Sequence, residues 1–92
     1  MDFVFVALLK DHNLEATDQD YEHPVCFIID ASSKGNALSW GEHITMEFCL
    51  NNKNIEIINI LVESPQNYTK SALEKLPRIA YGYNPQENEI GW

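Results

Sequence analysis

Eight consecutive residues, Ile55 to Val62, contain a single acid and a single amide, Glu56 and Asn59; the other six are Ile, Leu or Val. Strict alternation sets Ile55, Ile57 and Leu61 against Ile58, Ile60 and Val62, so the segment reads as a strand apolar on both faces. Two more runs read the same way. Asp2 to Leu9 places Phe3, Phe5, Ala7 and Leu9 opposite Val4, Val6 and Leu8, and Val25 to Asp30 follows Pro24 with apolar residues on both sides. Three such strands demand cover on both faces of a sheet, because a half-solvated sheet shows one polar row per strand. A chain of 92 residues has little to cover them with. Either loops and the C-terminal tail fold over the second face, or that face meets another molecule.

The main covering element is predicted between the second and third strands. Ala37, Trp40, Gly41, Ile44 and Phe48 fall within about 100° of arc at 3.6 residues per turn. Gly35 and Asn36 precede this face, Asn51 and Asn52 follow it, and Ser32 or Ser33 can cap the start. Residues 43–50 also fit a strand, since Ile44, Met46, Phe48 and Leu50 alternate with His43, Thr45, Glu47 and Cys49. The helix is preferred because a strand leaves Ala37 and Trp40 unexplained. Thr69 to Leu76 reads as a short helix capped by Thr69 and ended by Pro77, and Arg78 to Tyr83 as a fourth strand. Asn84-Pro85-Gln86 is a turn, after which Glu87 to Trp92 returns as an edge strand or packs as a tail. The expected fold is α+β: a single small domain, a four- to five-stranded mostly antiparallel sheet, one main helix at 36–50 and one short helix at 69–76.

Fourteen Asp and Glu against six Lys and Arg give a net charge of −8. Such a field repels nucleic-acid backbones and anionic membranes, and favours cationic partners or simple solubility. Six acids (Asp11, Glu15, Asp18, Asp20, Glu22, Asp30) lie between Lys10 and Lys34 with no Lys or Arg among them. The N-terminal apolar run is too short to span a membrane and carries Asp2 where a signal peptide carries positive charge, which predicts a cytoplasmic protein. Cys26 and Cys49 stand in apolar runs and are expected to be reduced core residues. Asn67-Tyr68-Thr69 is then a chance match to a glycosylation site.

No catalytic, cofactor or metal constellation emerges. Asp18, Asp20 and Glu22 mimic the first ligands of a calcium loop, but His23 and Ile29 occupy the positions that need Gly and Glu. His12, His23 and His43 lack zinc spacing. Cys26 or Cys49 could be combined on paper with His43 and Asp30, yet an apolar setting raises a thiol pKa and blocks access. The four glycines are too dispersed to cradle a phosphate. At the C-terminus Tyr83, Glu87, Glu89 and Trp92 set aromatics beside carboxylates, which suits a plug over the sheet, docking onto a basic protein, or both together.

The strand entering Ala37-Leu38-Ser39-Trp40-Gly41, the strand Ile55 to Val62 and the terminal Glu89-Ile90-Gly91-Trp92 together resemble the small acidic immunity or antitoxin proteins of bacteria, including those of contact-dependent growth inhibition. The resemblance implies a toxin partner, often a basic nuclease whose active site is occluded by acidic side chains. The contacts it suggests are Glu15, Asp18, Asp20, Glu22, Tyr83, Glu87, Glu89 and Trp92. The expectation is a non-enzymatic protein-binding module without cofactor. Its alternatives are a homo-oligomeric structural or accessory subunit that uses an apolar sheet face, and a small enzyme or metal-binding protein.

Overall fold

A computed structural model describes residues 1–92. Strand β1 (Asp2–Asp11) runs up the middle, hydrogen-bonded to β2 (Glu22–Asp30) on one side and β3 (Ile55–Glu63) on the other, both antiparallel. Strand β4 (Arg78–Ala80) adds in parallel to the outer side of β2, giving the order β3-β1-β2-β4. The sheet is thus mixed, because the chain returns to the far edge through helical segments instead of a hairpin. Pro24 lies in β2 beyond the stretch that pairs with β4, where its missing N–H interrupts no ladder on the outer side.

Helix α1 (Lys34–Asn51) links β2 to β3 and decides the ambiguity over residues 43–50 in favour of helix. Ser33 caps it, its hydroxyl accepting the Asn36 N–H at 3.1 Å. At the other end the Asn52 side-chain amide donates to the Phe48 carbonyl at 2.9 Å. Ala37, Gly41, Ile44 and Thr45 are buried, with Trp40 and Phe48 packed beside them. Thr45 belongs to the polar row of the strand pattern but borders the apolar stripe of the helix, one turn on from Gly41; it is fully buried, with its hydroxyl donating to the Gly41 carbonyl at 2.7 Å. Gly41 permits the closest approach of helix to sheet, since a Cβ built there would overlap the Phe5 ring.

The face of the sheet beneath α1 holds Phe5, Ala7, Leu9, Val25, Phe27 and Ile29, with the Phe5 and Phe27 rings 5.1 Å apart. The remainder of that face is closed by the C-terminal tail. There, helix α3 (Glu87–Ile90) stands where an edge strand was one of two options. It ends in a left-handed Gly91 (φ 75°) that turns Trp92 back onto the core. The opposite face is covered at one end by a 3-10 turn (Pro65–Asn67) and helix α2 (Lys70–Glu74), capped by Thr69 as expected. Val4 and Ile28 are buried there, while Val6, Leu8 and Cys26 on the same face are only half-buried.

Strand β3 departs from the alternation read in its sequence. A bulge shifts the register between Leu8 and Leu9, so that Asp11, Leu9, Ala7 and Phe5 face Ile55, Ile57, Ile60 and Val62. Those four residues share the α1 side, and Leu61, paired with Val6, takes the other. The fourth strand is also shorter than the Arg78–Tyr83 expected, because the chain leaves the sheet at Tyr81 to reach α1. Cys26 and Cys49 are free thiols, each half-buried and not in the core.

Candidate protein-binding surface

The loop between β1 and β2 is ordered by its own carboxylates and amides. Asp11 Oδ1 accepts the Asn13 N–H at 2.9 Å and Asp18 Oδ1 accepts the Asp20 N–H at 2.8 Å, two local turns of the kind acidic side chains make. The Asn54 amide donates to Asn13 Oδ1 at 2.8 Å, and His12 Nε2 donates to Glu56 Oε1 at 2.8 Å, tying the loop to the start of β3. The His12 bond holds the Glu56 carboxyl below its usual range. Glu22 meets Lys10 at 3.7 Å, an exposed pair worth little by itself. Glu15 and Asp20 are exposed.

In the tail, Trp40 Nε1 donates to the Tyr83 carbonyl at 3.0 Å, fixing the chain as it comes off the sheet. The Tyr83 hydroxyl donates to both Glu89 carboxylate oxygens, at 2.9 and 3.0 Å, and this bond raises the phenol pKa. Glu89 also accepts the Gln86 N–H at 2.6 Å, closing the first turn of α3. Glu87 accepts from the Asn52 amide at 3.0 Å. The Trp92 ring stacks on Phe48 (4.5 Å, 12°) and presents its edge to Phe27 (5.8 Å, 74°). It therefore plugs the core with one side and lines the surface with the other.

Two depressions flank that ring. An open groove of about 330 Å³ is lined by Asp11, Leu14, Asp20, His23 and Trp92. A smaller cleft is lined by Ile44, Glu47, Phe48, Asn51, Pro85, Glu87 and Trp92. Neither contains a Lys or an Arg. Of the residues singled out in the sequence, the structure thus gathers Asp20, Glu87 and Trp92 around one indole. Tyr83 and Glu89 form a separate hydrogen-bonded unit beside Trp40, and Asp18 and Glu22 serve the loop's own turn and its pair with Lys10. Asp11, His23 and Glu47, none of them among the expected contacts, join the surface. Asp11 had a signal, as the first acid of the run that follows the first strand; Glu47 had none, because its approach to Trp92 depends on where the tail docks.

The groups that could be assembled into a nucleophilic site are occupied separately. His43 Nε2 lies 3.2 Å from a Glu47 carboxylate oxygen and its ring stacks on Trp40 at 5.0 Å, while Asp30 accepts from the Met1 amino group at 2.8 Å. Burial pushes both thiols up, and Glu63 adds to the effect at Cys26. No group of three or more His, Cys, Asp or Glu side chains is placed to hold a metal ion. No helix is long and apolar enough to cross a membrane. Set against protein-family models, curated proteins and solved structures, the chain matches none of them.

Proposed function

We propose that the protein is a binding module of the immunity or antitoxin type, which neutralises a basic toxin domain by docking the surface around Trp92 onto it. The observation that carries this reading is the indole flanked on both sides by carboxylates, Asp11 and Asp20 in one depression and Glu47 and Glu87 in the other, with no cation among them. An aromatic face held rigid by stacking on Phe48 offers contact area at low entropic cost. A Lys or Arg laid against it gains from the ring and from the acids together. The net charge of −8 would speed association with such a partner and reject anionic competitors. The proposal includes a cytoplasmic location and no catalytic step.

Its test is affinity capture of the tagged chain from its native lysate at about 0.15 M and about 0.5 M salt, across which the Debye length falls from about 8 Å to under 5 Å. The expected result is one basic protein in stoichiometric amount, weakened by salt and lost when Asp11 and Asp20 are both changed to Lys. Recovery of the chain alone, or of a partner indifferent to the double reversal, would overturn the reading.

A further inference from the structure

The two edges of the sheet differ in kind. Strand β4 has three residues, follows Pro77 and opens with Arg78, all features that discourage pairing. Strand β3 has nine residues, no Pro and no Lys or Arg, and bonds to β1 on one side only. Two things interrupt its free side. One is the bulge; the other is Asn59, whose Oδ1 accepts the Ile60 N–H at 3.0 Å. The bulge residue Ile58 is 41 % exposed and Leu61 39 %, high values for strand aliphatics.

We propose that the β3 edge accepts an extended basic-amphipathic segment of a partner protein as a fifth strand. The chemistry follows from what each side of β3 presents. On the α1 side stand Ile57 and Ile60, half-buried at the rim of the core. On the other stand Glu56, Asn59, Leu61 and Glu63, paired with Lys10, Leu8, Val6 and Val4. A strand alternating aliphatic residues with Lys or Arg matches both rows: its aliphatics extend the Ile57–Ile60 row, and its cations reach the carboxylates of Glu56 and Glu63 across the stem-covering Leu61, alongside the bonds those groups already take from His12 and the Tyr68 hydroxyl. A second copy fits badly, because it would bring its own Glu56 and Glu63 and a further net charge of −8 to a strand that has no Lys or Arg of its own. The inference uses none of the residues around Trp92 and stands apart from the toxin-binding reading.

The test uses a fluorescent nine-residue peptide of alternating Val and Lys, with the purified full chain in a low-salt buffer. Expected are saturable binding by anisotropy, new hydrogen-exchange protection confined to β3 amides, and at least a tenfold loss of affinity in the Glu56→Gln/Glu63→Gln chain. The same peptide with its central residue replaced by Pro is expected to bind at least tenfold more weakly, since it cannot form the ladder. Equal binding of the Pro peptide, or protection elsewhere on the surface, overturns the proposal in favour of diffuse charge attraction. A peptide-free dimer in sedimentation with β3 already protected overturns it in favour of self-association.

Discussion

Phe5 and Val6 are neighbours in β1, both apolar, and they point to opposite sides of one sheet. Phe5 is fully buried beneath α1, whereas Val6 is half-buried on a face that the 3-10 turn and α2 cover only at one end. The same holds for Phe27 against Cys26. Side-chain character therefore does not separate the two faces; the supply of covering chain does. The α1 side receives an 18-residue helix and the tail, and the other receives a three-residue turn and a five-residue helix. In a short chain the helix that must cross from β2 to β3 seals the face it crosses, and its partner face takes what remains.

The contrast predicts very unequal responses to mutation. Phe27→Ala is expected to cost about 3 to 5 kcal/mol in chemical denaturation, the usual range for a buried aromatic; a loss below about 1 kcal/mol would show that the tail and α1 do not close that face. Gly41→Ala is expected to cost about 1 to 3 kcal/mol from overpacking against Phe5, outweighing the roughly 1 kcal/mol it gains in helix propensity. Shrinking the opposing ring in the same chain, Phe5→Leu, should recover part of that loss in a double-mutant cycle. On the other face, burial first and then the hydrogen bond to Glu63 push the Tyr68 phenol up to about 12. Because the protonated form is the one favoured in the fold, its contribution is full below pH 10, the ordinary phenol value, and disappears as pH rises through about 12. Denaturation of the parent and of Tyr68→Phe between those limits should converge, and parallel curves would remove Tyr68 from the account. The smallest effect belongs to Leu61→Thr, expected within about 0.5 kcal/mol of the parent as at other exposed sites. A larger loss would mean that the second face is better covered than its exposure indicates.

Much of this architecture was legible in the residues. The stripe of Ala37, Trp40, Gly41, Ile44 and Phe48 outvoted the alternation of residues 43–50 because a helix accounts for both ends of the segment. Thr69 announced its cap, and the pair Ser32 and Ser33 announced the other, which falls to Ser33. The faces of β3 were misassigned because period-two reading has no way to count a bulge: Ile57 and Ile60 share a side only if one extra residue lies unpaired between them. The half-exposed cysteines escaped for a related reason, since an apolar run says that a residue is suited to burial and not that chain is available to bury it. For the surface around Trp92, the acidic loop and the aromatic tail were each visible, but their meeting depends on α3 and the turn at Gly91, which bring together segments about seventy or more residues apart in the chain.

The bulge in β3 also bears on how this chain can change by insertion and deletion. Removing Ile58 would leave Ile55, Ile57, Ile60 and Val62 in plain alternation with Glu56, Asn59 and Leu61, so every side chain would keep its present side of the sheet. Most single-residue losses inside a strand turn half of it inside out, and this one would not. The strand carries a spare position, and a three-nucleotide deletion there would leave the fold intact while drawing its outer border straight and flat. That border is the kind that recruits identical strands without limit; the bulged one leaves room for a single segment of matching chemistry, so the irregular residue guards the molecule against growing into a fibre.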